Sequence, residues 1–244
     1  SQQVSGAIAN LNVTNTAVLA AATTVSGNVT ITGSGSLSIN GKPLGVTGSV
    51  SLAGSGQLVM TNAADSVDVG GSYTAGGGSS GSNLSAGKLV LRGAFVQSAT
   101  SSNDFAATGT HTTILAGTSA QSVDFSYPGP TTSHFQNLTV TNPAGISLTS
   151  DLAANGTVTL TGGAISGANH AGTIGGGLVD ASSARWHVDT TTFSSGGALA
   201  LPDSMSGIVA FAGAGASLSK AFKLNGTALL IGSGTLAPAG QTLT

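Results

Sequence analysis

Catalysis needs titratable or nucleophilic side chains held close together, and this chain holds few of them. Its acids are eight Asp and no Glu, and its cations, Lys42, Lys88, Arg92, Arg185, Lys220 and Lys223, form no cluster larger than the Lys220/Lys223 pair. Asp65 and Asp68 lie three residues apart. Arg185, His187 and Asp189 alternate, which on an extended strand puts all three on one face, with Asp180 nearby in sequence. Carboxylates with Arg and Lys along one face of a coil would equip a polysaccharide-active β-helix enzyme, and that is the alternative function. The preferred reading of the second set is a solvated strand face opposite the lone Trp186.

Other motifs point less far. Gly77-Gly78-Ser79-Ser80-Gly81 has the spacing of a nucleophile elbow, and the stretch from Gly76 to Gly81 that of a dinucleotide loop. Each needs a strand before it and a helix after it, and Asn83-Leu84-Ser85-Ala86-Gly87 offers no helix. His111, His134, His170 and His187 include no pair at short ligand spacing, there is no Cys, and no calcium-loop pattern is present. No catalytic, cofactor-binding or metal-ligating residue is therefore assigned, and the chain is expected to be no enzyme and to need no cofactor. Sequons at Asn12, Asn28, Asn83, Asn137, Asn155 and Asn225 are ascribed to the abundance of Asn, Ser and Thr. The pairs Thr30/Thr32, Thr139/Thr141 and Thr157/Thr159/Thr161 raise a third reading, ice binding by Thr ranks on a flat face, but they are not spaced evenly by one repeat.

Composition names the class of element that must carry these residues. Of 244 residues, 40% are hydrophobic but only 4% aromatic and 6% charged, with 38 Gly; an ordinary globular domain carries roughly 25% charged residues. Hydroxyls, amides and backbone must wet such a surface. Disorder is not expected, because Val, Ile, Leu and Thr recur in orderly runs. The formal charge is −2 and no basic stripe appears, so neither nucleic acid nor an anionic membrane is an expected partner. No apolar run approaches the ~20 residues of a membrane-spanning helix, and a chain without thiols tolerates an oxidising space.

Strand signals dominate: Val29-Thr30-Ile31-Thr32, Val50-Ser51-Leu52, Leu89-Val90-Leu91, Leu138-Thr139-Val140-Thr141 and Val158-Thr159-Leu160-Thr161 alternate and are bounded by Gly. The Ala-rich stretch from Asn15 to Thr24 reads as a strand or a lead-in segment. A unit of the form Gly-x-Val-x-Leu/Ile-x-Gly recurs at Gly27 to Gly33, Gly48 to Gly54 and Gly156 to Gly162. The interval from Gly27 to Gly48 suits one rung of a β-solenoid, with loops intruding at Gly76 to Ser82 and Tyr127 to Ser133. The fold class is thus all-β, a parallel β-helix-like solenoid with irregular rungs. A β-sandwich is the alternative, since Asn40-Gly41, Asn155-Gly156 and Asn225-Gly226 are hairpin signals.

The run Gly109-Thr110-His111 to Leu115-Ala116-Gly117-Thr118, then Gln121-Ser122-Val123, then Phe135-Gln136-Asn137-Leu138-Thr139-Val140-Thr141-Asn142 resembles β-helical repeat modules of long secreted bacterial cell-surface proteins with adhesin-like or matrix-like roles. The resemblance implies a β-helical, extracellular module and no catalytic residues. Residues 1–244 are expected to form one elongated β-repeat domain, a window on a longer array. The expected function is an extracellular or cell-surface structural or adhesive role, as a filament or surface-layer building block that self-associates end to end, with surface polysaccharide as a further partner. The array is suggested by the tail: Ile31-Thr32-Gly33-Ser34-Gly35-Ser36-Leu37 returns as Leu230-Ile231-Gly232-Ser233-Gly234-Thr235-Leu236, and Gly41 and Leu44 fall on Gly240 and Leu243. With so few charges, thermal melts are expected to hold their midpoint between low and moderate salt and between mildly acidic and neutral pH. A large shift with salt would mean that a charge network holds the fold.

Overall fold

A computed structural model gives the chain as all-β, 54% strand with almost no helix, its parallel coils stacked into a β-solenoid of about 9 turns. It describes residues 1–98, 101–180, 186–195, 197–199, 201–202, 204–213, 216–218, 221, 223–224, 228–232, 236–237 and 240. A typical turn has three strands, so the coil has three faces. The first face stacks Leu11–Val13, Val29–Ile31, Val50–Ala53, Tyr73–Gly76, Phe95–Gln97, Gln121–Phe125 and Ile146–Leu148. The third stacks Pro43–Val46, Ser66–Val69, Lys88–Leu91, Thr112–Leu115, Asn137–Val140, Val158–Leu160 and Leu178–Asp180. The second face carries Ser36–Ser38 and Gln57–Val59. The Ala-rich Thr16–Val25 is one long strand that runs along the second and third faces in turn, pairing with Ser36–Ser38 and then with Pro43–Val46.

The strand pairings among the described residues are all parallel, which excludes the sandwich; its strands would pair antiparallel with near neighbours. The Asn-Gly signal has another use here. Asn40 (φ 54°) and Gly41 (φ 73°) both take positive φ, and the Lys42 amide donates to the Ile39 carbonyl at 3.0 Å. This is the tight turn expected of Asn-Gly, but it rounds a corner of the coil instead of closing a hairpin.

Alternation sets the interior. Val29, Ile31, Val50 and Leu52 point inward and are at most 5% exposed, while Thr30 and Ser51 point out. Stacked columns follow from the parallel register: Val29, Val50, Tyr73, Phe95 and Val123 on the first face, and Leu44, Val67, Leu89, Thr113, Leu138, Val158 and Leu178 on the third. Each fully buried Val or Leu contributes about 1.5–3 kcal/mol.

The corner between the third and first faces is built on close approach. The Gly48 amide donates to the Gly27 carbonyl at 3.0 Å, Gly71 to Gly48 at 2.8 Å and Gly93 to Gly71 at 3.1 Å. A Cβ on Gly48 would lie 2.5 Å from the Gly27 oxygen, and one on Gly93 2.5 Å from that of Gly71, so these positions exclude side chains. Beside them runs a side-chain ladder: the Asn28 amide donates to Asn10 Oδ1 at 2.9 Å, Ser49 to Asn28 Oδ1 at 2.8 Å and Ser72 to Ser49 Oγ at 3.1 Å.

Rung length varies, as expected: along the first face the rung from Leu11 to Val29 is short and that from Phe95 to Val123 is long. The wide rungs carry the expected loop at Tyr127 to Ser133 and a second, unexpected excursion over residues 101–111. They are filled by Tyr73, Phe95, Phe105, Phe125 and Phe135, with the Phe95 ring 4.9 Å from Phe105, 4.8 Å from Phe125 and 5.0 Å from Phe135.

Two repeat readings are corrected. The copies at Gly27 and Gly48 are consecutive rungs of the first face, but Val158–Leu160 of the third copy lies on the third face. The match at the tail is also out of phase. Ile31 and Leu37 lie on the first and second faces, whereas their counterparts Leu230 and Leu236 lie in strands paired with Ile208–Phe211 and Ala216–Leu218, on the second and third. Residues 233–235 and Leu243 of that match are outside the described residues. The unit marks a strand and its corner, not a fixed place in the turn.

The corner makes a paired prediction. Gly48→Ala should lower unfolding free energy in a urea titration by about 1–3 kcal/mol, the range of overpacking against backbone. Gly45→Ala, whose Cβ would meet nothing closer than Thr24 Cγ2 at 3.9 Å, should stay within about 0.5 kcal/mol of the parent.

Candidate functional site

The coil separates most of the residues that sequence grouped. Asp65 is buried at a corner of the second and third faces, where its Oδ1 accepts the Gly41 amide at 2.5 Å and its Oδ2 the Asn62 amide at 2.9 Å. Asp68, on the outer side of Ser66–Val69, makes a two-pronged ion pair with Arg92, Nε to Oδ1 at 2.9 Å and Nη2 to Oδ2 at 2.8 Å. That pair holds the Arg92 pKa above its ordinary value, first through the hydrogen bond and then through the charge of Asp68.

Arg185 lies outside the described residues, as does the side chain of Asp180. His187 and Asp189 alternate outward as expected, and Trp186 points the other way, buried, its indole N–H donating to Thr191 Oγ1 at 2.7 Å. His187 Nδ1 is 3.3 Å from Ser206 Oγ, and Asp189 Oδ2 accepts the Asn169 amide at 2.9 Å. One rung to the other side, Asp151 Oδ1 accepts the Ala171 amide at 2.8 Å and lies 3.7 Å from His170 Nδ1. Asp151, His170 and Asp189 thus gather at one corner, an acid–base grouping that sequence did not predict. It stands on an exposed edge, with the Asp151 side chain 53% exposed, and lines none of the four described cavities.

The remaining motif residues have structural partners. Gly77 to Gly81 runs from the end of Tyr73–Gly76 into a 3-10 turn, Gly81–Asn83, not into an α-helix. Among the described residues no group of three or more His, Cys, Asp or Glu is placed to hold a metal. Four sequon amides are engaged: Asn28 and Asn137 accept backbone amides from the next rung, Asn83 bonds Gln57, and Asn155 donates to the Pro130 carbonyl. Asn225 is outside the described residues. Thr139 stacks on Thr159, but Thr141 and Thr161 turn their hydroxyls onto the carbonyls of Leu115 and Val140, which takes them from any water-ordering rank.

Sequence missed a set of buried polar clamps around the wide rungs. Gln121 accepts from Gly117 N and Asn142 Nδ2 and donates to the carbonyls of Leu91 and Gly93. Gln97 donates to the Ser98 and Ser101 carbonyls and accepts the Tyr127 amide, tying both excursions to the first face. An apolar alternation interrupted by Gln97 and Thr113 was the available signal.

Two histidines are buried in this region. Nδ1 of His111 bonds the Ala86 carbonyl at 2.9 Å, and Nδ1 of His134 bonds the Thr132 carbonyl at 2.8 Å. A carbonyl only accepts, so Nδ1 of each ring is the donor, and Nε2 of each is buried without a hydrogen-bond partner. Burial lowers the His111 pKa from its ordinary value, opposed by the Ala86 bond and by the charge of Asp65. Burial likewise raises the Tyr73 pKa.

Comparison with protein-family models, with curated proteins and with solved structures finds no match to the chain. No helix among the described residues is long and apolar enough to cross a membrane.

His111 modifies the flat pH profile expected from the sparse charge. Its folded pKa lies below that of the unfolded chain, so the unfolded state takes up a proton first as pH falls. The neutral ring's contribution is complete above about pH 6.5 and is lost toward the lower folded value. The thermal midpoint should therefore hold from about pH 8 to 7 and fall as pH drops below about 6.5, and His111→Gln should flatten that acid limb. An unchanged acid limb in the variant would assign the sensitivity elsewhere.

Proposed function

We propose that the chain is a non-enzymatic structural or adhesive module, a rod that builds or presents a surface outside the cell or on it. The observation that carries this reading is the distribution of its polar groups. Asp65, Gln97, Gln121, Asn142 and Ser133 are buried and engage the backbone of their own or neighbouring rungs, so the buried side chains that elsewhere equip a reactive pocket here pin the coil together. Composition supports the location: no Cys and a surface wetted by Ser, Thr, Asn and Gly.

End-to-end assembly belongs to this proposal. The first strand, Gln2–Ile8, pairs with Thr16–Val25 and has no partner on its other edge among the described residues. Val4, Ile8 and Leu11 pack only partly against the core there. Residues 1–41 contain no Asp, Lys, Arg, His or Pro, the residues that usually blunt an open edge. In the purified chain such an edge can take a further rung from a second copy, and low charge opposes the contact little.

Light scattering and electron microscopy of the purified chain test the assembly. Rods should lengthen with concentration in steps of about 43 Å, about 9 turns at ~4.8 Å each. Gln3→Lys/Ala7→Lys should leave folded single rods. Assembly that survives both lysines would overturn the end-to-end contact, and turnover of a polysaccharide by the parent chain would overturn the non-enzymatic reading.

A further inference from the structure

The glycines that let the narrow rungs meet at their corners stop one rung short of the open end. Between the third and first faces, Gly27, Gly48, Gly71 and Gly93 succeed one another in register. A Cβ on any of them would stand within 2.8 Å of the carbonyl oxygen of the rung before it. One rung earlier the same column ends at Ala9, whose carbonyl accepts the Gly27 amide at 2.7 Å. Between the first and second faces the pattern repeats. A Cβ on Gly35, Gly56 or Gly77 would stand closer still to the carbonyl oxygen of Val13, Ile31 or Gly56 in turn. Thr16, Ser36 and Gln57 share one register, so the residues before them, Asn15, Gly35 and Gly56, succeed one another. This column ends at Asn15.

The first rung thus carries side chains at two corners where the rungs after it carry glycine, and both Ala9 and Asn15 are exposed. Its outer edge is the one without a partner among the described residues. A further rung set against it at the coil's own spacing brings carbonyl oxygens onto both Cβ atoms, at distances that force one or the other aside. The hydrogen bond that Gly27 makes to Ala9 has no counterpart on the other side of Ala9 at such a distance. Along Gln2–Ile8 no such obstacle arises, because strands in a ladder lie ~4.8 Å apart and leave room for side chains of every kind.

We infer that Ala9 and Asn15 limit end-to-end contact, so that a second copy joins through the ladder of Gln2–Ile8 alone and is held off the corners that flank Leu11–Val13. The inference rests on the stacking proposed above and adds the residues that restrain it. A contact so confined forgoes backbone hydrogen bonds at two corners and leaves Leu11–Val13 unpaired on its outer edge, so rods part readily at this rung and their length follows concentration.

Light scattering over a concentration series, on the full chain and its variants, tests this. Ala9→Gly/Asn15→Gly removes both obstacles and should lower the concentration at which rods form about tenfold or more; tenfold is about 1.4 kcal/mol, within the range of a relieved overpacked contact. Ala9→Val enlarges one obstacle and should raise that concentration. Ala7→Gly also places a glycine in the first rung but touches no corner, and should leave it unchanged. Gln3→Lys added to the double variant should abolish the gain, since lysine blunts the edge. Far-ultraviolet circular dichroism should be the same for all. A double variant that assembles no more readily than the parent, an equal gain from Ala7→Gly, or a gain that survives Gln3→Lys would overturn the inference. A parent that stays single while the double variant assembles removes the parent's stacking and keeps the restraint; a parent that assembles as readily as the double variant does the reverse.

Discussion

Each rung must approach the one before it closely enough for backbone hydrogen bonds at its corners as well as along its faces, and most of this structure follows from that approach. On the faces the spacing is that of any parallel sheet. At the corner of the third and first faces the carbonyl of one turn lies where the Cβ of the next would be, which only glycine permits at Gly48, Gly71 and Gly93. None of these three glycines takes a positive φ; what they lack is room. The residues after Gly27 and Gly48 bring their own polar groups within reach of the next turn, so Asn28 and Ser49, with Asn10 before them, form a ladder beside the glycines. A corner of this kind holds register without charge, which explains how a chain with 6% charged residues stays in one alignment.

The interior imposes the second constraint. Three short faces enclose a narrow core, and Val, Leu and Ile fill it while rungs stay as short as those from Leu11 to Val29 and from Val29 to Val50. Where the turn widens between Phe95 and Val123 the space needs larger groups, and five aromatic rings collect there. Widening also strands backbone groups that no longer meet a neighbouring rung. Gln97, Gln121 and Asn142 satisfy them, and their amides do so because one side chain both donates and accepts. The aromatic core, the amide clamps and buried His111 are thus consequences of the same local widening, and the acid-sensitive group sits in the part of the coil that departs most from its repeat.

Much of the fold was legible. Alternation at Val29 to Thr32 and Val50 to Leu52, with Gly at both ends and one rung's length between the copies, describes two stacked rungs, and the structure has them in register. The third copy misled because all three corners ask for the same local pattern, a strand closed by glycine; the pattern alone carries no label for its face. The match between the start and the tail fails in phase for the same reason. The gathered side chains were less legible. Asp65 and Asp68 look like a pair in sequence, yet one is buried at a corner and the other exposed on a strand. Lys42 and Lys88 look unrelated in sequence, and two rungs bring them to one edge. Deciding such cases requires the length of every intervening rung, which varies with loops that have no periodic signal.

That dependence on rung length has a consequence for how a surface changes over this fold. In a helix, residues three or four apart share a face whatever lies elsewhere in the chain. Here one residue added to a loop need not move any strand off its face, because the corner can absorb it. The rung from Val50 to Tyr73 is longer than the one from Val29 to Val50, and all three residues keep one column. The core columns survive such changes because inward positions outside the wide rungs are apolar and interchangeable in kind. Outward positions carry no such requirement, so their side chains can vary rung by rung without cost to the coil. A solenoid of this composition therefore separates the two tasks: glycines, amides and apolar columns hold the rod, while scattered outward residues such as Lys88 and Arg92 are left to give one face its own chemistry.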